Sequence, residues 1–197
     1  MILALDASTA RASVALAADQ RIIQEVFVDA PRGRGGMLFS ALEAVLRNTV
    51  EIESVVVGVG PGSYNGIRSA IAVAWGIAMA RQIPLFGISS LLGLGEGSYC
   101  AIGDARREQF YFARVENGRL QAEPALLTKD ELAAAVKQLP DLPVFAPAAI
   151  DSLSGVIIRT PSAAILARRA NGLNPGLPEP VYLKPAHITT LKEAPNR

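Results

Sequence analysis

Three polar side chains near the start of the chain could position a phosphate or a metal-bound water. Asp6, Ser8 and Thr9 follow a short apolar strand predicted over residues 2–5. At such a strand end a carboxylate can hold a metal-bound water, while hydroxyls and backbone N–H groups face a phosphate. A turn in which these groups satisfy their own backbone explains the same residues equally well. Both interpretations stay open at this point.

The second segment with possible chemistry is the run Gly-Pro-Gly-Ser-Tyr-Asn-Gly at residues 60–66. It joins a predicted strand to a predicted helix, and the free N–H groups of a helix N-terminus favour anions. The run lacks the Lys-Ser/Thr ending of a P-loop and the spacing of a dinucleotide motif, and Pro61 stands where a nucleophile elbow needs glycine. A tight turn capped by Ser63 is the alternative. The candidate anion-binding residues are Gly60, Gly62, Ser63 and Asn65.

The overall composition limits the class of protein. The 197 residues allow one large domain or two small ones, and half of them are hydrophobic, which indicates a packed core. Lysine and arginine number 19 against 18 aspartates and glutamates, so autonomous binding of tRNA or DNA is disfavoured. The longest apolar stretch, residues 67–80, is interrupted by Arg68, Ser69 and Gly76. We therefore expect no contact with a membrane.

The single histidine, His187, and the single cysteine, Cys100, are far apart in the sequence. A zinc site needs three or four Cys, His or carboxylate ligands, and a hydrolase triad would have to use His187 as its imidazole base. We therefore expect no metal site and no catalytic histidine. One cysteine cannot form an internal disulfide, and the N-terminus lacks the pattern of a secretion signal, so we expect a cytoplasmic protein.

Hydrophobic periodicity predicts strands and helices in both halves of the chain. The elements predicted for the first half are strands over residues 2–5, 12–18 and 21–28, a helix over 36–48, a strand over 54–59, a helix over 64–81, a strand over 85–88 and a short helix from residue 89. Those predicted for the second half are a matching hairpin, a helix over 128–139, strands over 144–146 and 156–159, and a helix from 161 or 162 to 170. Thr128 with Glu131 three residues later is the pattern of a capping box.

The two halves also resemble each other in sequence. Sliding the chain by 98 positions places Asp6 on Asp104, and the turn at Asp19 on the hairpin signal Asn117-Gly118. By analogy, a duplicated unit of this kind is typical of the fold shared by ribonuclease H, actin, Hsp70 and sugar kinases. We therefore predict an α/β protein of two tandem ribonuclease H-like domains, residues 1–97 and a shortened 98–197, with mixed sheets flanked by helices.

The predicted helix over residues 64–81 is apolar nearly all round, so it must be covered on two sides. A partner subunit could cover the side that the chain's own sheet leaves open, and burial within the chain is the alternative. The side chains singled out for partner contact, from this helix and the one before it, are Phe39, Leu42, Leu46, Ile67, Ala70, Ile71, Ala74, Trp75 and Ala78.

Several blocks of sequence together resemble the TsaB (YeaZ) family of bacterial proteins. They begin with Ile-Leu-Ala-Leu-Asp-Ala-Ser-Thr at residues 2–9 and continue with Gly-Val-Gly-Pro-Gly-Ser-Tyr-Asn-Gly-Ile-Arg at residues 58–68. Shorter blocks follow in the same order at residues 83–85, 87–91, 104–107 and 180–183. Ala7 and Asn65 are departures, because relatives commonly have threonine at both places.

The resemblance implies an actin-like ATPase fold and a role in the synthesis of N6-threonylcarbamoyladenosine in tRNA. It implies a non-catalytic scaffold that binds and activates the catalytic subunit TsaD, with the ATPase TsaE as a third component and tRNA met only through the complex. The first two helices would be the docking surface, and a homodimer is expected when the chain is alone. No cofactor is required in this role; weak binding of ATP or ADP at the candidate phosphate residues, which include Asp104, stays open.

Other functions stay open from the residues alone. An independent phosphotransferase of the sugar-kinase type would need a general base near the acceptor hydroxyl, and Asp104 is the candidate for that base. A self-associating binding module would bury the same two helices in a homodimer. A glycoprotease-like peptidase has the weakest support, since the sequence offers neither the metal ligands nor a nucleophile–base pair.

Overall fold

A computed structural model describes residues 1–29, 37–47, 51–139, 141–151, 153–170 and 172–184. The predicted α/β class is confirmed, because the chain forms two sheets with helices packed against them. The two ends of the helix predicted over residues 36–48, Gly36 and Asn48, and the single histidine, His187, lie outside the described residues. No helix in the described ranges is both long and apolar enough to cross a bilayer.

The first sheet is formed entirely by the first half of the chain. Its strand order is β3-β2-β1-β4-β5, with β1, β2 and β3 antiparallel and β1, β4 and β5 parallel. The elements of this half are β1 (Ile2–Asp6), β2 (Arg11–Ala18), β3 (Arg21–Asp29), α1 (Met37–Leu46), β4 (Ser54–Gly58), α2 (Tyr64–Arg81), β5 (Leu85–Ile88) and a 3₁₀ helix (Ser90–Gly93).

The second sheet repeats the topology of the first. Its order is β11-β10-β6-β7-β8, and β9 also pairs with β7. The predicted capping box is present, because Thr128 and Glu131 each bond the other's backbone N–H at the start of α3. The elements of this half are β6 (Tyr99–Asp104), β7 (Gln109–Glu116), β8 (Arg119–Leu120), β9 (Ala125–Thr128), α3 (Lys129–Lys137), β10 (Val144–Ala146), β11 (Ile157–Ile158) and α4 (Ala163–Arg168).

The two faces of the first sheet carry side chains of different size. One face packs against α1 and α2 and consists of large aliphatic residues, namely Leu3, Leu5, Val14, Leu16, Val55 and Val57. The opposite face consists mainly of small residues, namely Ala4, Ala15, Ala17 and Val56. Because successive side chains of a strand point to opposite sides, this difference follows from the alternation of large and small residues along β1 and β2.

The small face is covered by α4, a helix from the second half of the chain. Its alanines and the fully buried Leu166 lie directly on β1, β2 and β4. Burial of one leucine side chain contributes about 2 kcal/mol, and small residues on both surfaces let the helix approach the sheet closely. The second half therefore packs on the first through the core of the molecule, in addition to following it in sequence.

Polar groups of the first half cap the N-terminus of α4. The Ser13 hydroxyl accepts a 2.6 Å bond from the Ala163 N–H. Glu25 Oε1 accepts three bonds, from the Ser13 hydroxyl (2.9 Å), the Ser162 hydroxyl (2.8 Å) and the Ala164 N–H (3.1 Å). A carboxylate at this position satisfies N–H groups that have no partner within the helix and interacts favourably with the helix dipole.

Replacing Glu25 by alanine should therefore destabilise the whole chain. We expect Glu25→Ala to lower the free energy of unfolding by about 2 kcal/mol, because an N-cap interaction and the partners left unsatisfied each contribute about 1 kcal/mol. Urea unfolding followed by circular dichroism measures the change. Gln24→Ala, at an exposed neighbour on the same strand, is the matched control, and an equal loss of stability in both variants would contradict this role of Glu25.

Candidate functional site

The carboxyl group of Asp6 is fully buried at the end of β1. Its Oδ1 accepts bonds from the Ser8 N–H at 2.9 Å and from the Ser8 hydroxyl at 2.7 Å. Its Oδ2 is buried and has no hydrogen-bond partner among the described residues. Thr9 is half-buried, and its hydroxyl donates to the Arg11 carbonyl oxygen at 2.7 Å within the following turn.

The glycine-rich run after β4 lies directly on this aspartate turn. A Cβ atom at Gly62 would collide with the Ser8 carbonyl oxygen, and one at Gly66 would collide with that of Ala7. The Ser63 N–H donates to the Ser8 carbonyl oxygen at 2.6 Å. Two segments that are more than fifty residues apart in sequence therefore meet, and the contact requires glycine where the backbones touch.

Three of the N–H groups that an anion could use at this site already have partners in the chain. The Gly60 N–H donates to the Ser90 hydroxyl at 2.9 Å, and the Gly66 N–H donates to the Ser63 hydroxyl at 3.3 Å. The Ser63 N–H donates to the Ser8 carbonyl oxygen, as described above. Asn65 is exposed in the first turn of α2. This geometry favours the tight-turn interpretation of residues 60–66, with Ser63 as the N-cap of α2, over a phosphate cradle.

Burial also determines the electrostatics of Asp6. Removal from water raises the pKa of its carboxyl group above the ordinary value of 3.8, and the nearby Ser90 hydroxyl together with the bonds from Ser8 offsets part of the rise. Tyr111, on β7 of the second half, is buried close enough that the Asp6 charge adds to the effect of burial in raising the pKa of its phenol. Asp6 is thus buried among residues of the first half, and its charge reaches the phenol of Tyr111 in the second half.

Asp104, the counterpart of Asp6 in the repeat, is exposed at the end of β6. Its Oδ1 accepts a bond from the Arg106 N–H at 2.6 Å, which is the bond that Asp6 forms with the N–H two residues later. Its Oδ2 lies 3.3 Å from the Arg106 guanidinium. The two aspartates therefore make the same local turn, but only Asp6 is buried.

The candidate cofactor residues thus do not form one cluster that points at a common ligand. Asp6, Ser8, Gly60, Gly62 and Ser63 come together, but Asp6 and Ser63 are bonded to Ser8, and the Gly60 N–H is bonded to Ser90. Thr9 and Asp104 are engaged in separate turns on the surface. Over the described part of the chain, no group of three His, Cys, Asp or Glu side chains is arranged to hold a metal ion.

Seven of the nine side chains predicted to contact a partner are instead packed in the chain's own core. The buried or partly buried ones are Leu42, Leu46, Ile67, Ala70, Ile71, Ala74 and Ala78. Only Phe39, 61% exposed, and Trp75, 48% exposed, are open to a partner. The cause is the strip of Ala70, Ala74 and Ala78, which lies between isoleucines and packs on the sheet.

The surface that α1 and α2 leave open consists of Phe39 and Trp75 together with three residues that the sequence pattern did not single out. On α2, Ala72, Gly76 and the 63% exposed Met79 surround Trp75, and Phe39 is the exposed aromatic residue of α1. We call these five residues the outer helix face. The signal for it in the sequence is the second small-residue strip, Ala72, Gly76 and Ala80, on the side of the helix opposite the isoleucines.

Comparisons with known proteins identify the family to which the chain is similar. A family model described as TsaD, tRNA N6-adenosine threonylcarbamoyltransferase, matches residues 36–156. The protein TsaB of Escherichia coli, named for tRNA threonylcarbamoyladenosine biosynthesis, is 31% identical over 132 residues, which are 59% of this chain and 57% of that protein. TsaB of Bacillus subtilis is 30% identical over 132 residues, 61% of this chain and 58% of its own length. The match thus spans just over half of each relative.

A solved structure extends the likeness to nearly the whole chain. YeaZ from Pseudomonas aeruginosa superposes with a TM-score of 0.74 at 25% identity, over 92% of this chain and 99% of that one. This superposition confirms the predicted actin-like architecture of two ribonuclease H-like units. The boundary at residue 97 stays a prediction, and α4 of the second half packs on the sheet of the first.

The buried carboxyl of Asp6 should make stability depend on pH. Its pKa is raised in the folded state, so the unfolded chain loses this proton first as the pH rises. The free energy of unfolding then falls by up to about 1.4 kcal/mol per pH unit until the native carboxyl ionises too. Asp6→Asn removes this pH-dependent loss of stability. Urea unfolding between about pH 4 and 7 should therefore show the free energy of unfolding of the variant rising relative to that of the native chain. Parallel curves for the two proteins would contradict the enclosure of Asp6.

The close approach of Gly66 to the aspartate turn predicts a difference between two glycines of one helix. Gly66→Ala should lower the free energy of unfolding by about 2 kcal/mol or more, because the new Cβ displaces backbone. Gly76→Ala should raise it by about 0.5–1 kcal/mol, because nothing lies near that position and alanine favours a helix. Thermal and urea unfolding of both variants provides the test, and similar effects at the two positions would exclude the described contact.

Proposed function

Because the chain belongs to the TsaB (YeaZ) branch of the TsaD family, we propose that it acts in tRNA threonylcarbamoyladenosine biosynthesis as a non-catalytic subunit. In this role it binds and activates the catalytic subunit TsaD in the cytoplasm. The ATPase TsaE and the tRNA join through the complex. The observation that carries the proposal is the outer helix face. It is an exposed apolar surface on two helices whose opposite sides pack in the core.

The shape of the outer helix face suits a helical protein partner. Ala72 and Gly76 have small or no side chains, so a partner helix can come close to the backbone of α2, while Trp75 and Met79 provide apolar area beside them. Exposed aromatic residues with methionine are typical of interface cores. An apolar surface of this kind is uncommon on a chain that works alone.

The enclosed aspartate turn supports a non-catalytic role. A phosphotransferase needs a carboxylate that can reach the acceptor hydroxyl, whereas Asp6 is 0% exposed and the loop N–H groups beside it are occupied by chain atoms. Asp104 is accessible, but its carboxylate is paired with Arg106. Nucleotide chemistry by this chain is thus the weaker of the two alternatives.

A single charged residue on the outer helix face tests the proposal. We expect Trp75→Glu to abolish binding to purified TsaD, because an interface core that loses a central aromatic residue and gains a buried charge loses about 2–4 kcal/mol. Isothermal titration calorimetry measures the binding. In cells that depend on the variant, nucleoside mass spectrometry of tRNA should show threonylcarbamoyladenosine falling while other modifications persist.

The matched control is Ile158→Glu, which places the same charge on an exposed apolar residue of β11 in the second half. It should bind TsaD like the native chain. If Trp75→Glu also binds normally, the outer helix face is not the docking surface. If light scattering shows a native homodimer that persists when TsaD is added, the chain is a self-associating module and the proposal is wrong.

A further inference from the structure

An aromatic and cationic cluster lies at the start of α2. The rings of Tyr64 and Tyr182 stack with their centroids 4.9 Å apart. The Arg68 guanidinium donates to the Tyr64 hydroxyl at 2.6 Å and lies 5.2 Å from the centre of that ring. All three side chains are exposed. We call these residues the Tyr64–Arg68–Tyr182 cluster; they play no part in the aspartate turn.

The cluster joins the outer helix face to the C-terminal part of the chain. Arg68 is on α2 one turn before Ala72, so it continues the exposed side of the helix. Tyr182 belongs to the segment of residues 176–184, which we call the strap. The strap bonds to the first sheet through the Val181 N–H and the Val59 carbonyl oxygen at 2.8 Å. It bonds to the second half through Lys184 Nζ and the Arg106 carbonyl oxygen at 2.7 Å.

Arg68 is held in place but retains unused hydrogen-bonding capacity. A guanidinium has five N–H donors in a planar fork that matches a carboxylate. Among the described residues, Arg68 interacts with Tyr64 and Tyr182, and no carboxylate forms a salt bridge with it. The contact with the Tyr64 hydroxyl and the proximity of Tyr182 raise the pKa of Arg68 further. The cation is therefore fixed in orientation and open to an external anion.

We propose that the protein partner that docks on the outer helix face also covers the Tyr64–Arg68–Tyr182 cluster, with an aspartate or glutamate side chain of the partner bound to Arg68. The inference rests on the proposed function and adds the chemistry of the partner's surface: an apolar helix with a carboxylate at one end. Contact with Tyr182 would extend the interface from α2 onto the strap.

The charge distribution favours a protein over a nucleic acid at this place. Along the exposed side of α2, Arg68 is followed by Ala72, Trp75, Gly76 and Met79, and the next cation is Arg81 at the end of the helix. Binding to a phosphate backbone needs several cations in a row. One oriented arginine at the edge of an apolar face is instead the pattern of a protein interface with a polar rim, where the charge sets orientation and specificity.

Charge reversal at Arg68 tests the inference. We expect Arg68→Glu to weaken binding to purified TsaD by about tenfold or more. Added salt should strengthen the remaining binding instead of weakening it, because attraction becomes a repulsion that salt screens. Tyr182→Ala should weaken binding by about three- to tenfold through lost contact area. The controls are Arg119→Glu on β8 and Leu177→Ala, an exposed strap residue outside the cluster; both should bind like the native chain. Circular dichroism should show all four variants folded.

The outcomes separate this inference from the proposed function. If Trp75→Glu abolishes binding while Arg68→Glu and Tyr182→Ala bind normally, the outer helix face is the docking surface and the cluster is not part of it. If the native chain does not bind TsaD, both proposals are wrong. If Arg68→Glu leaves TsaD binding intact but reduces binding of a tRNA transcript, the anion is a phosphate and the inference is overturned. If a TsaD variant with one acidic residue replaced by a basic one restores binding to Arg68→Glu, the two residues of the ion pair are identified directly.

Discussion

The structure depends on one constraint, the alternation of large and small side chains in the first sheet. Leu3 and Leu5 point to one side of β1, and Ala4 and Asp6 point to the other. The side with large residues can be covered by the helices that follow in sequence. The side with small residues needs a covering surface that also carries small side chains. The alanine-rich helix α4, which is far away along the chain, provides it. The fold of the first half is therefore completed only when the second half packs on it.

This packing changes what the aspartate turn can do. In a two-domain protein of this architecture, the space between the halves is where a ligand could bind. Here Asp6 is enclosed by the glycine-rich loop, Ser90 and the buried phenol of Tyr111. A carboxylate that must ionise to bind a cation is disfavoured in such surroundings. In the proposed function the surface that meets the partner is the outside of α2, whose inner side packs on the large face of the sheet.

Much of the fold could be predicted from local pattern, and the errors concern contacts between distant residues. The bounds of α2 and β5 follow from apolar periodicity and the Gly-Pro-Gly break, and the structure has them as predicted. β9 was missed, because its four residues become a strand only by pairing with β7. The place of α4 depends on bonds such as that from Ala163 to Ser13, 150 residues away. Seven of the candidate docking residues lie in the core for a related reason, since the sequence showed two small-residue strips on α2 but not which one faced the sheet.

The strap gives the outer helix face a connection to the second half that α2 alone does not have. A partner that contacts α2 touches only the first half, whereas Tyr182 is held between Val181, bonded to Val59, and Lys184, bonded to Arg106. Because α4 and the strap both join the halves, the position of Tyr182 beside Tyr64 depends on their correct packing. In the proposed complex the partner would therefore bind most tightly to a chain whose two halves are fully assembled, and a chain with displaced halves would present only part of the interface.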